Sequence, residues 1–210
     1  MAVFAPGREF LYKYFDWCFD MRVTEVPDEA DKDTCAIVVT GVQDVDNPNV
    51  IDFMDGCARR GLTCLHLRVP YVVGTGMGGV MMRMARGISQ GTVMRIKDNE
   101  TEWSVIHATD VASAAKYIAD KPSPQTDYVV SASPVKVNDL VTAFGVRIKN
   151  KHIGCLSPQW ARLLSGKSLY KAMVTDQIVD TRQFATDYPD FVFANPVVYL
   201  ETHDYGDDSL

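Results

Sequence analysis

Apolar residues recur at two spacings along this chain, and the switching between them predicts strands interleaved with helices. Phe10, Leu11, Tyr14, Phe15 and Cys18 fall on one side of a helix beginning after Pro6-Gly7. The acidic run Pro27 to Asp33 reads as a solvated loop. Cys35 to Val39 is a continuous apolar run, the pattern of a strand buried on both faces of a parallel sheet. Asn49 is the expected N-cap of a helix through Arg60, stopped by Gly61. Leu62 to Val73 forms a second strand region, and Met81, Met84, Ala85 and Ile88 place a helix over Val80 to Ile88.

Thr92 to Ile96 and Trp103 to His107 read as short strands, Asp110 to Ala119 as a helix with an acid at its positive end, and Tyr128 to Ala132 as a further strand. Leu140, Val141 and Phe144 mark the next helix. Ser157-Pro158 and Asn195-Pro196 each pair an N-cap with proline at the first helical position, and the first of these helices runs to Gly166. No repeat or low-complexity linker interrupts the series. The expected class is α/β: a partial Rossmann-like parallel sheet with helices on both faces, plus a small α/β C-terminal region. Residues 1–210 are expected to form a single domain, with a Rossmann-like core over 35–132 and a mainly helical region over 133–210.

Composition adds exclusions. With 47% hydrophobic and 23% charged residues, the 210-residue chain has the make-up of a packed globular protein. A net charge of −6 offers no overall basic field for nucleic acid. No apolar run approaches the ~20 residues of a membrane helix. The start MAVFAPGREF lacks a basic region followed by a long apolar stretch, so the expectation is a cytoplasmic protein without membrane partners. Cys18, Cys35, Cys57, Cys64 and Cys155 contain no CxxC pair and are odd in number. Reduced, buried thiols are the expectation, with metal or redox use as the competing reading. The acidic tail Glu201 to Asp208 reads as solvated. His66, His152 and His203 make no metal-ligand spacing, and no metal is expected.

Gly74, Gly76 and Gly79 match GxGxxG literally, between a strand and a helix. Asp98 follows about 20 residues later, where a ribose-binding acid stands in dinucleotide folds. The competing reading is a glycine-rich turn. The surrounding residues favour a third. Leu67-Arg-Val-Pro-Tyr-Val-Val-Gly-Thr-Gly76 resembles the segment LRPxxVYGPG of extended short-chain dehydrogenases/reductases, the NAD-dependent epimerase/dehydratase family. Trp103 to Ala112, containing IHATDVA, is similar to that family's IHVDDVA segment. Tyr128-Val-Val, Val137-Asn-Asp-Leu140 and Val179-Asp-Thr181 resemble its later "YNV", "tvEL" and "DxSK" elements. These follow in family order over roughly two-thirds of the chain.

The resemblance implies NAD or NADP as cofactor and a nucleotide-sugar-like ligand. It makes Thr40 the residue at the end of the strand that carries the family's Ser/Thr. Val69 and Pro70 would meet the nicotinamide end, and Tyr71, Gly74, Gly76 and Arg83 would border the substrate. Gly74 to Gly79 is then a loop beside the substrate mouth. The pattern is incomplete, however. Val38-Val-Thr-Gly41 is followed by Asp44 and Asn47 where a GxxGxxG loop would carry glycines. The helix Asn49 to Arg60 holds neither residue of YxxxK. The literal match Tyr117 to Lys121 lies in a later helix and is read as chance. The catalytic acid/base is therefore unassigned.

His107 and Asp110 read either as a relay or as a structural pair fixing a turn. Arg68 reads as an ion-pair partner. Arg83, Arg86 and Arg95 read as diphosphate ligands or as an exposed face. Two classes of function follow. One is a divergent NAD-dependent epimerase/dehydratase-like enzyme. The other is an inactive member or fragment that binds a ligand, a partner subunit or a second copy of itself.

Overall fold

The structure, a computed structural model, describes residues 2–6, 8, 11, 13, 15, 35–44, 46–74, 76–121, 125–148 and 153–202. In chain order the elements are β1 Ala2–Phe4, β2 Cys35–Gly41, α1 Pro48–Arg60, β3 Thr63–Val69, β4 Tyr71–Val73, α2 Gly79–Ser89 and β5 Arg95–Ile96. There follow β6 Glu102–Trp103, β7 Val105–His107, α3 Ala108–Asp120, β8 Asp127–Val129, β9 Val135–Lys136, α4 Val137–Arg147 and β10 Cys155–Leu156. The last are α5 Pro158–Ser165, α6 Lys167–Met173, α7 Arg182–Asp187 and α8 Pro196–Thr202. The residues fall into two compact units: Met1–Pro70 with Ala108–Ser131 and Val179–Val192, and Tyr71–His107 with Ala132–Ile178 and Phe193–Leu210.

The first unit is built on a parallel sheet in the order β1-β2-β3-β8. The apolar run from Cys35 makes β2, whose Ala36 to Val39 are all buried, as a strand covered on both faces must be. Register sorts the side chains. Phe4, Ala36, Val38 and Cys64 share one face and meet Val50, Phe53 and Cys57 of α1 in a common cluster. Phe4 stacks on Phe53 at 4.5 Å. The opposite face carries Val3, Ile37, Val39, Leu65, Leu67 and Tyr128. There Tyr128 packs against Phe184 of α7 and against Tyr188, which also touches Tyr117 of α3. Helices thus cover both faces.

Helix α1 starts two residues before the expected position. Asn47, not Asn49, is the cap: its side chain accepts from the Asn49 backbone N–H, and Pro48 occupies the first turn. Gly61 stops the helix as expected, in the left-handed conformation at φ 69°, which a side chain would strain. The strand expected over Leu62 to Val73 is two strands. Pro70 has no N–H to continue a ladder, and β3 and β4 join different sheets. The expected helix around Phe10 to Cys18 and the acidic loop from Pro27 lie outside the described residues, apart from the buried Leu11 and Phe15 and the exposed Lys13.

The second unit has three two-stranded pairings: β4 with β7 and β10 with β5, both parallel, and β6 with β9, antiparallel. Trp103 to His107 breaks at Ser104, whose N–H turns to Gln177. Asn138, in α4, substitutes for a missing strand neighbour. Its side chain accepts from Ile96 N–H at 2.9 Å and donates to the carbonyls of Ile96 and Asn99. Helix α4 packs against α2 and α8. Helices α6 and α7 are absent from the sequence reading, being too short for a periodic signal. Among the described residues no helix is long and apolar enough to cross a membrane, and no group of three or more His, Cys, Asp or Glu is arranged to hold a metal ion.

Candidate functional site

In parallel sheets, ligands bind at the C-terminal ends of the strands. In the first unit that edge holds Thr40, Gly41, Val69 and Pro70, with Gly41 and Val69 register partners and the Val42 N–H bonded to the Val69 carbonyl at 3.2 Å. Thr40 and Val69, both expected near a cofactor, are thus brought to one edge, each fully buried.

Thr40 shares its sheet face with His66, Arg68 and Asp127, because these positions alternate along β2, β3 and β8. Thr40 Oγ1 lies 2.8 Å from His66 Nε2. His66 Nδ1 stands 3.5 Å from Asp127 Oδ1, which also accepts from Arg68 Nε at 2.9 Å. Burial lowers the pKa of His66 most; Asp127 opposes this, and Arg68 adds to it. A neutral imidazole with its proton on Nδ1 facing Asp127 leaves Nε2 to accept from the Thr40 hydroxyl. In that tautomer the Thr40 hydroxyl is directed at His66.

His66 and Asp127 were not singled out from the sequence. They are 61 positions apart, and only parallel register joins them. One signal was present: in Leu65-His-Leu-Arg68 the polar pair at alternate positions marks a polar patch on one face of a buried strand.

The turn after β2 does not fit a dinucleotide pyrophosphate. The Asp44 carboxylate accepts the Gly41 N–H at 3.1 Å, and a Cβ on Gly41 would meet Asp44 and Arg8 side-chain atoms at 2.3 and 2.8 Å. A carboxylate thus fills the place a phosphate would take. The cap of α1 is likewise supplied from within, by Asn47.

The second unit holds Tyr71, the glycine loop and Arg83. Gly74, Gly76 and Gly79 have φ of 149°, 80° and 61°, so the loop depends on glycine. Gly76, Gly78 and Gly79 are exposed, and nothing lies within 4 Å of a Cβ built on Gly78 or Gly79. Helix α2 follows with no acid in its first turn. The exposed Arg83 acts electrostatically on Tyr71, whose phenol is pushed up by burial and pulled down by that charge. Tyr71 also packs on Trp103 at 4.6 Å. Of the other arginines, Arg95 is engaged with the Ile153 carbonyl at 3.1 Å, whereas Arg86 is exposed.

A true dinucleotide fingerprint needs the next strand to lie in the same sheet. Here β4 leads through α2 to β5, which pairs with β10 and not with β4. Asp98 sits in a turn after β5 at φ 56°.

Remaining sequence features resolve as structural contacts. Arg68 is an ion-pair partner, as expected. His107 is fully buried and stacks on Tyr199 at 3.6 Å. Tyr117 and Lys121 do meet, Nζ to hydroxyl at 2.8 Å. Tyr117 lies in the last turn of α3 and Lys121 just after it, on the path into β8, hence at the N-terminal edge of the sheet. Asp180 is held down to about 2 by hydrogen bonds from Arg182. Burial pushes the thiols of Cys35, Cys57 and Cys64 up, Cys64 to about 12, so they stay protonated and poorly nucleophilic.

No protein-family model matches this sequence, and no curated protein matches it. Solved structures do. A UDP-N-acetylglucosamine 4-epimerase from Bacillus cereus superposes with a TM-score of 0.52 at 11% identity, over 79% of this chain and 62% of its own. A GDP-mannoheptose C4 reductase from Campylobacter jejuni with NADP bound gives 0.50 at 10% identity, over 80% and 65%. A human epimerase family protein with NADPH gives 0.52 at 16% identity, over 83% and 66%. The chain spans less than two thirds of the length of these three structures. At such identities the likeness is one of fold: a Rossmann-like α/β architecture with a parallel sheet flanked by helices.

Proposed function

We propose that this chain is a divergent relative of the NAD(P)-dependent epimerases and dehydratases that binds a nucleotide-sugar-like ligand through Tyr71, the Gly74–Gly79 loop and Arg83. The observation that carries the reading is a loop whose Gly76, Gly78 and Gly79 are exposed, opening an acid-free helix with Arg83 one turn in and acting on Tyr71. Such a loop lets a bulky ligand approach the backbone. The positive end of α2 and a guanidinium suit a diphosphate. Tyr71 and Gly74 lie where the family resemblance places substrate contacts. Thr40, Val69 and Pro70 are the corresponding contacts toward the nicotinamide end of NAD or NADP, and helix α1, capped by Asn47 after a turn closed by Asp44, offers no glycine-lined N-terminus for a pyrophosphate. Binding of nicotinamide cofactor is accordingly expected to be weak.

A second reading, an inactive ligand- or partner-binding protein, is favoured by one feature. Helix α1 contains neither tyrosine nor lysine, so the proton-transfer pair of the family has no counterpart there. Calorimetry with UDP-glucose and UDP-N-acetylglucosamine, beside NAD+ and NADP+, tests the proposal. Saturable binding of a UDP-sugar that is lost in Arg83→Ala is the expected result. Low-micromolar binding of NAD+ with none of either sugar nucleotide overturns it, and no binding of any of the four leaves the partner reading.

A further inference from the structure

We propose that α5, with the segment continuing into α6, is a docking surface for an anionic lipid bilayer. Trp160, Leu163 and Leu164 are 59%, 69% and 42% exposed. Their spacing of i, i+3 and i+4 gathers them into one stripe on α5, whose only buried residue is Ala161. Val174 and Ile178 are further exposed apolar residues just beyond α6. Scattered exposed apolar side chains need no explanation, but an exposed tryptophan and two leucines on one helix stripe do.

Charge identifies the partner. From Leu140 to Thr175 the chain has no Asp or Glu and six basic residues: Arg147, Lys149, Lys151, Arg162, Lys167 and Lys171. The rest of the chain has fifteen basic residues against all twenty-seven acidic ones. Arg162, Lys167 and Lys171 are exposed. On α6 the two lysines stand four apart, as do its buried Leu169 and Met173, so the lysines point away from the packed side. An anionic plane attracts the exposed Arg162, Lys167 and Lys171 of this segment.

A bilayer fits better than a protein groove. Helix α5 has eight residues, about 12 Å of length. Three side chains over that length fall far short of the ~800 Å² per partner of a stable protein interface. A few apolar anchors beside dispersed basic residues suffice for a helix lying in the headgroup region. Tryptophan suits that boundary, with an apolar ring and one polar N–H.

The test is flotation of the full chain with phosphatidylcholine vesicles, with and without about 30% phosphatidylserine, at low and high salt. The chain should float only with the anionic vesicles, and partitioning should drop about tenfold or more between about 0.05 and 0.5 M salt. Trp160→Ala with Leu163→Ala should reduce it about tenfold or more without changing the melting temperature, since both residues are exposed. Lys167→Glu with Lys171→Glu should do the same by charge. Equal binding to both vesicle types, unchanged binding of both double variants, or no flotation overturns the proposal. So does an apolar variant that only dissolves a dimer, or retention on an acidic polypeptide such as polyglutamate without flotation.

Discussion

Thr40 Oγ1 and His66 Nε2 lie 2.8 Å apart on adjacent strands, with neither residue more than 5% exposed. Each is the other's hydrogen-bond partner in a place water does not reach. Removing one side strands the other, at a cost of roughly 1–3 kcal/mol. Thr40→Val and His66→Leu should each destabilise the chain by about that amount. The double variant should cost clearly less than the sum, because the stranded group disappears. Denaturant melts of the four proteins measure this; strict additivity would show that the two groups are not coupled.

The same pair makes stability depend on pH. Burial holds His66 below the ordinary histidine value of 6.5 in the folded chain. The unfolded chain therefore binds the proton first as pH falls, and it binds more protons than the folded chain between the two values. Stability should be full above about pH 6.5, fall as pH drops through it, and level off beneath the lowered folded value. His66→Gln should flatten this part of the profile. Urea midpoints from about pH 7.5 to about pH 5 provide the check, and a wild-type profile no steeper than that of His66→Gln would contradict it.

Asn47 and Asn49 are close in sequence but unequal in role. Asn47→Ala removes the cap of α1 and should cost about 1 kcal/mol. Asn49 is exposed and contributes its backbone N–H to the cap, so Asn49→Ala should be close to neutral. Thermal melts that rank the two in the opposite order would return the cap to Asn49.

Phe53 is the centre of the α1 cluster, 4% exposed and stacked on Phe4. Phe53→Ala should destabilise by about 3–5 kcal/mol, since the strands around it relax only in part. Phe53→Leu should keep well over half of that. Equal losses in denaturant melts would mean that the ring stack on Phe4, and not buried apolar volume, carries the packing energy.

Gly76→Val tests the glycine loop. At φ 80° valine is strained, and the turn into α2 should be disturbed. Thermal shifts with UDP-sugars should shrink at least severalfold, while any response to NAD+ stays as in the wild type. If the loop held a pyrophosphate, the order would reverse.

Legibility from sequence followed the range of the interactions. Strand β2, Gly61 as helix stop, α2 and α4 were legible because each depends on its own neighbours. The breaks at Pro70 and Ser104 were not, because a continuous apolar run does not reveal which sheet each half joins. Asn138 and Asp127 act on partners 42 and 59 or more residues away, so their roles appear only with the topology. Tyr71, Gly74, Gly76 and Arg83 are near neighbours in sequence, so that their local proximity, though not any role, could be read there. The coupling of Thr40 to His66 required the register of two parallel strands.

The interleaving of the two units has a consequence for synthesis. Tyr128 enters its strand long before Phe184 and Tyr188, which cover it, have been made. At ~5–20 residues per second, that face of the sheet waits roughly 3–12 s on the ribosome for its cover. Over the same interval the whole stretch from Ala132 to Ile178, belonging to the other unit, emerges first. A nascent chain stalled between β8 and residue 184 thus has α3 on that sheet face but leaves Tyr128 without Phe184 and Tyr188, an apolar surface of the kind that chaperones and proteases recognise.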